Sequence, residues 1–206
     1  MPDRPRYDRK LEMILREASR VFADKGYHQA TVRDIARATG VSLAGLYYYF
    51  KSKEDLLFLV LDHSLGRLLS RQREALEGVT DPRERFHILV RNHLEFFDGN
   101  EQEMKVLARE TASVSGEMRE RVAGREREYA GIVYRILREL APEENAPDLR
   151  VATFSLFGML NWVYTWYVPD RHLPVERLVH ELEQIFLNGY SPGILDGAQA
   201  PADTLL

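Results

Sequence analysis

The chain has no cysteine among its 206 residues. Disulfides, a thiolate nucleophile and a cysteine metal site are therefore excluded. A signal-peptide pattern and a long uncharged apolar run are also missing, so a cytoplasmic protein that avoids the membrane is expected. The histidines (His28, His63, His87, His93, His172 and His180) form no HExxH pair, and no Gly-rich phosphate loop or nucleophile elbow occurs. No catalytic residue, metal or cofactor is expected on these grounds, and His87 and His93 read as packing or solvent residues of one helix. Strand patterns, internal repeats and low-complexity tracts are lacking too, apart from a Gly/Pro/Ala tail after Tyr190.

Positive charge is scarce overall, with 28 Lys+Arg against 32 Asp+Glu. That balance argues against a nucleic-acid partner until the chain is divided. Residues 1–55 carry 11 basic and 8 acidic side chains, and the remainder 17 and 24. A mildly basic head on an acidic body suits a protein that presents one end to phosphates, and so weak a charge implies two heads acting together. The hydrophobic share of 45% is ordinary for a globular protein that buries a core.

The most informative stretch is TVRDIARATGVSLAGLYYYFKSKEDLL, Thr31 to Leu57. Thr31 with Asp34 makes a capping-box-like start, and Val32, Ile35 and Ala36 form the stripe of a short helix. Gly40 supplies the permissive backbone that ends it, and Ser42 caps a second helix over Leu43 to Phe50. At helical spacing Leu43, Leu46 and Phe50 face inward, Ala44, Gly45 and Tyr48 outward, with Tyr47 and Tyr49 on the flanks. Consecutive tyrosines there suit DNA, since hydroxyls donate to phosphates, rings touch sugars and methyls, and small residues admit the helix to the groove. The structural alternative leaves Tyr47 and Tyr49 as half-buried packing residues with wet tips.

This pattern of caps, glycine turn and tyrosines, through K-S-K-E-D-L, is similar to the N-terminal DNA-binding domain of the TetR family of bacterial transcriptional regulators. The resemblance implies that Arg33, Ala44, Gly45, Tyr47, Tyr49 and Lys53 sit where family members touch DNA, with Thr31 and Ser42 as phosphate-facing caps; Tyr48 joins them from its outward position. It also implies an all-α protein of about nine helices, a homodimer, and a ligand pocket in the larger C-terminal part. The expected division is a three-helix helix-turn-helix head over 1–52 and a ligand-binding and dimerisation domain over 53–206.

Along the rest of the chain, Met1 to Tyr7 reads as a flexible arm, with Arg4 and Arg6 able to reach a minor groove. Helices are expected over Asp8–Lys25, Lys53 to about Leu76, Pro82 to about Phe97, Glu101–Ser113 and Gly116–Leu140, with Asp98-Gly99-Asn100 as a break and Ala141–Pro147 as a loop. The fourth helix is apolar around nearly its whole circumference, and so must be covered on several sides and link head to body. Asp148–Val168 is apolar on every side. Asn161, Thr153, Ser155 and Thr165 interrupt it and Arg150 and Arg171 bracket it, so a buried helix is expected rather than a membrane span. Pro174 opens a last helix whose stripe includes Leu178, Leu182, Ile185 and Phe186. With Phe154, these residues are expected to pair with a twin subunit around a two-fold axis, the alternative being packing within the subunit.

Aromatic residues crowd the C-terminal part, and an apolar cavity is expected to involve Phe97, Phe157, Trp162 and Trp166, though such stripes also make plain core. Asn161 must hydrogen-bond a ligand, a neighbouring helix or the twin. N161-W-V-Y-T-W-Y167 followed by V-P-D-R resembles the C-terminal region of fatty-acid-degradation and steroid- or phenylacetate-catabolism repressors of the family. That similarity implies an acyl-coenzyme A effector that releases DNA. Arg109, Arg119, Arg121 and Arg125 are candidates for its phosphates, or else surface ion pairs. The expected function is thus a homodimeric repressor of a palindromic operator, with no membrane partner. A sensor of drugs or other apolar metabolites is the alternative, and a lipid carrier or enzyme the alternative of another class.

Overall fold

The computed structural model describes residues 4–141, 148–168 and 173–189; for 4–6, 97 and 98 it describes the backbone alone. His172, Arg171, most of the Ala141–Pro147 loop and the tail from Tyr190 lie outside the described residues. Within them the chain is all-α, without a strand. The helices are α1 (Arg4–Lys25), α2 (Val32–Thr39), α3 (Leu43–Leu46), α4 (Lys53–Leu76), α5 (Pro82–Glu110), α6 (Gly116–Leu140), α7 (Leu149–Trp162) and α8 (Val175–Asn188), with 3-10 turns at Thr111–Ser113 and Val163–Thr165. None of the described helices is long and apolar enough to cross a membrane.

Short-range polar chemistry starts most of these helices. Thr31 accepts from the Asp34 amide and Asp34 from the Thr31 amide, a complete capping box. Ser42 accepts from the Gly45 amide at 3.1 Å and Ser52 from the Asp55 amide at 3.0 Å. Asp81 and Asp148 do the same for α5 and α7. Gly40 ends α2 at φ 65°, in the left-handed region that a side chain would strain.

Two apolar clusters divide the interior, and α4 contributes to both. The first joins Phe22, Ile35, Leu46 and Phe50 of the head to Leu56 and Leu61 of α4, and continues into Val106, Val114 and Val122 of the body. The second gathers Leu68 and Leu69 with Phe86, Leu89, Ile136, Leu156 and Val179. Each such side chain contributes on the order of 1.5–3 kcal/mol by leaving water. Contacts on several sides explain why α4 tolerates leucine around most of its surface.

Several expectations change. Residues 4–7 extend α1 rather than forming an arm. The Asp98-Gly99-Asn100 break is a kink inside α5, where Asn100 leaves helical geometry (φ −141°, ψ 32°). Its side-chain amide donates to the Phe96 carbonyl at 2.8 Å, which satisfies a polar group near the kink. Counting the two arms of α5 separately gives nine helices among the described residues. The apolar segment from Asp148 stops being α-helical at Trp162 and tightens into a 3-10 turn. It is also not covered all round: Val151, Phe154 and Trp162 are each 64% exposed.

The stripe of α8 is divided. Leu178 is buried in the second cluster, Leu182 packs against it, and Phe186 stacks on Phe86 at 5.7 Å. Leu178 belongs to the subunit's own core and is withdrawn from the expected dimer interface, whereas Leu182 and Phe186 are half-buried and keep part of their surface. Ile185 and Phe154 remain exposed.

Candidate nucleic-acid interface and effector cavity

The tip of the head is a tyrosine turn. Helix α3 is regular only to Leu46, but the backbone continues to coil, with the Tyr47 amide bonded to Leu43 at 3.0 Å and the Tyr49 amide to Leu46 at 2.9 Å. Leu46 and Phe50 are buried, whereas Leu43 is partly exposed, contrary to its expected inward position. Tyr47 is 52% and Tyr48 63% exposed. Tyr49 is half-buried beneath a contact absent from the sequence reading: its ring stacks on Tyr7 of α1 at 4.9 Å, and Tyr48 meets Tyr7 edge-on at 6.0 Å. The extra turn of α1 thus braces the tyrosines.

Around that turn Ala44, Thr31, Ser42 and Arg33 are exposed. Arg33 has no ion-pair partner among the described residues, while Arg37 and Lys25 both reach Asp34. Hydrogen bonds from Lys25 and Thr31 hold the Asp34 carboxyl well below the usual carboxylate range. Gly45 has a packing reason beyond the outward position expected of it. A Cβ there would fall 2.9 Å from Val41 Cγ1, so the bare backbone lets α3 close onto the turn.

Lys53 departs most from expectation. Its ammonium donates to the carbonyls of Tyr27, His28 and Ala30 at 2.8, 3.2 and 3.0 Å and lies 4.4 Å from the Tyr27 ring centre. All three donors are engaged within the protein, so Lys53 pins the α1–α2 loop to the start of α4. The same joint is tied from the body. Glu110, the last residue of α5, accepts from the Tyr27 amide at 3.1 Å and from Ser113 at 2.9 Å. Glu54 accepts from the amide and hydroxyl of Ser115 at 2.9 and 2.7 Å. Partners 61 and 83 residues apart leave no mark on local sequence patterns.

A cavity of about 520 Å³ opens between α4, α5, α6 and α7, within the size range of small-molecule sites. Leu65, Leu68, Met104, Leu107, Phe154 and Phe157 supply apolar wall. Thr111, Arg119, Glu126 and Arg127 supply polar lining beside the 3-10 turn, and His93, Tyr129 and Asn161 a second polar group. Of the residues expected to hold ligand, Phe157 and Asn161 line the cavity. Arg109, Trp162 and Trp166 do not: Arg109 lies over the Tyr164 ring at 5.8 Å, and both tryptophans are exposed outside. The Phe97 side chain lies outside the described part.

The arginines of α6 have different fates. Arg125 grips Asp62 of α4 through two bonds of 2.6 and 3.1 Å, and Arg121 lies 3.7 Å from the same carboxylate and over Phe58. Arg119 pairs with Glu126 at 3.0 Å inside the cavity lining. Arg127, which the sequence places on a charged solvated face and not among the phosphate candidates, also lines the cavity and has no ion-pair partner among the described residues. Its spacing from Ala123 and Ala130, both in the lining, is the signal that could have found it. His87 meets Glu183 of α8 at 3.0 Å, while His93 is buried and the apolar surroundings push its imidazole down to about 4.

Residues 79–190 match the tetracycline-repressor-like C-terminal domain, and residues 14–60 match the N-terminal domain of bacterial regulatory proteins of the tetR family. The chain belongs to the TetR family of transcriptional regulators, which sets the enzyme reading aside. Among its relatives, the HTH-type transcriptional repressor KstR2 of Mycolicibacterium smegmatis is 30% identical, over 87% of this chain and 90% of that protein. The solved structure of AibR in complex with isovaleryl coenzyme A and operator DNA is 25% identical with a TM-score of 0.78, over 86% of this chain and 98% of that one. FadR of Bacillus subtilis in complex with stearoyl-CoA is also 25% identical, with a TM-score of 0.72 over 87% and 99%.

Proposed function

We propose that the protein is a cytoplasmic, homodimeric repressor of fatty-acid or related catabolic genes that leaves a palindromic operator on binding a long-chain acyl-CoA. Residues 1–52 form the DNA-binding head and 53–206 the effector-binding and dimerisation body. In the head Tyr47, Tyr48, Tyr49, Ala44 and Gly45 enter the major groove. Arg33 and the exposed caps Thr31 and Ser42 face phosphates. Lys53 serves this surface by holding its frame. Two heads about 34–36 Å apart read successive half-sites, the standard spacing for helix-turn-helix dimers. Exposed Phe154 and Trp162 on α7 and Ile185 on α8 suit pairing of these helices with their twins.

One observation carries the link between ligand and DNA. Thr111 lines the cavity, and its neighbour Glu110 holds the backbone of Tyr27 in the head. A ligand that displaces the end of α5 therefore pulls on the joint that sets the head's angle. A coupling of about 1–3 kcal/mol, or roughly 5–150-fold in operator affinity, is the usual size of such linkage. The acyl-CoA reading draws on the apolar cavity with unpaired Arg127 at its lining, and on AibR and FadR, whose complexes hold acyl-CoA ligands.

The test is anisotropy of a labelled operator, selected from random duplexes, titrated with the protein and then with palmitoyl-CoA. Salt-dependent binding followed by release is expected. Failure to bind any duplex rejects the regulator, and release by uncharged drugs but not by acyl-CoA transfers the assignment to a drug sensor.

A further inference from the structure

Three polar side chains from three helices meet in an otherwise apolar stretch of cavity wall: His93 of α5, Tyr129 of α6 and Asn161 of α7. His93 Nδ1 lies 2.9 Å from the Tyr129 hydroxyl, and the Asn161 side chain approaches the same imidazole. His93 and Tyr129 are 2% and 5% exposed, whereas Asn161 keeps accessible surface. Phenylalanine and leucine would fill the same volume without the desolvation that an imidazole and a phenol incur. Burying polar groups in a ligand cavity is instead how sites fix orientation and distinguish oxygenated ligands from bare hydrocarbon.

Burial keeps His93 neutral at physiological pH. A neutral imidazole carries one N–H and one bare nitrogen, and its tautomer sets which of them faces Tyr129. A primary amide has two N–H donors and one ring nitrogen can take only one of them, so Asn161 keeps at least one N–H for a ligand in either tautomer. What the cluster offers a ligand is an oriented N–H.

We propose that Asn161, positioned by His93 and Tyr129, is a hydrogen-bonding subsite for an acceptor oxygen on the acyl part of the effector, either the thioester carbonyl or an oxygen further along the chain. The inference rests on the acyl-CoA reading and deepens it: the site recognises an oxygenated acyl group and not chain length alone.

Calorimetric titration of the full-length protein tests this with palmitoyl-CoA, S-hexadecyl-CoA, which lacks the carbonyl, and 3-hydroxypalmitoyl-CoA. If the carbonyl is read, palmitoyl-CoA binds about 3–10-fold tighter than the thioether, the usual yield of one hydrogen bond. If a chain oxygen is read, the 3-hydroxy ligand shows that advantage over palmitoyl-CoA. In either case Asn161→Leu abolishes the preference, and Tyr129→Phe, which preserves the ring, reduces it and serves as the second variant should Asn161→Leu disturb folding. Equal binding of the three ligands by the unaltered protein overturns the subsite, as does an equal weakening of all three in both variants. Binding of none of them overturns the acyl-CoA reading itself and the subsite with it.

Discussion

Head and body use polar residues differently. In the head Thr31, Ser42 and Ser52 find their partners three residues away, within one turn of backbone. In the body Arg125 reaches across 63 residues to Asp62, Glu110 reaches 83 to Tyr27, and Arg127 pairs with nothing described. A contact made within a turn is a property of a short peptide. A contact across helices depends on the angle at which the helices pack, which short-range pattern does not encode. The functional consequence is that the head's surface is composed locally, while the cavity is composed by four helices at once.

The proposed division of labour can be broken most severely at the exposed Trp162 of α7. Trp162→Glu places a charge where the twin subunit should pack. Sedimentation should show the mass halved, with operator affinity falling by about 10²–10⁴-fold as the second head is lost. An unchanged dimer would move the interface elsewhere.

Within the head, Tyr47 and Lys53 separate contact from framework. Tyr47→Ala should weaken operator binding by about 1–3 kcal/mol, roughly 5–150-fold, without shifting the denaturation midpoint. Lys53→Met should lower stability by about 1.5–3 kcal/mol in chemical denaturation, since three carbonyls lose a charged donor. If Lys53→Met left stability intact and reduced only DNA binding, the ammonium would belong to the interface after all.

In the body, burial of His93 makes stability depend on pH. The folded protein keeps the ring neutral to about 4, against an ordinary value of 6.5. Between these values the unfolded chain takes up a proton that the folded one refuses. Stability should therefore fall as pH drops from about 6.5 to about 4, with a slope approaching 1.4 kcal/mol per unit, and be insensitive to this group above that window. Denaturation series on His93→Gln should lack this part of the slope. The smallest effect is expected at the seam between α1 and the tyrosine turn. Tyr7→Ala removes one stacked pair, about 0.5–1.5 kcal/mol, and should lower operator affinity a few-fold at unchanged dimer mass.

Much of this molecule was legible before any coordinates. The capping residues, the glycine turn, the bounds of α4 and α6 and the apolar circumference of α4 all follow from spacing and residue type, because each is decided within a turn or two of chain. The extension of α1 was hidden by Pro5 near the terminus, a residue that a first helical turn tolerates. The break at Asp98-Gly99-Asn100 became a kink because packing on both sides of α5 outweighs a weak local signal.

Amino-acid order by itself determined that the chain is helical, that it carries a capped helix-turn-helix with outward tyrosines, and that its body holds more apolar surface than one helix pair can bury. Only the tertiary structure decided which surfaces remain open. It turned Leu178 inward and left Trp162 outside, engaged Lys53 and Arg125 internally, and brought His93, Tyr129 and Asn161 to one wall. The physical reason is that hydrogen bonds within a turn are set by backbone geometry common to all helices, whereas burial and ion pairing depend on distances that exist only once separate helices have packed.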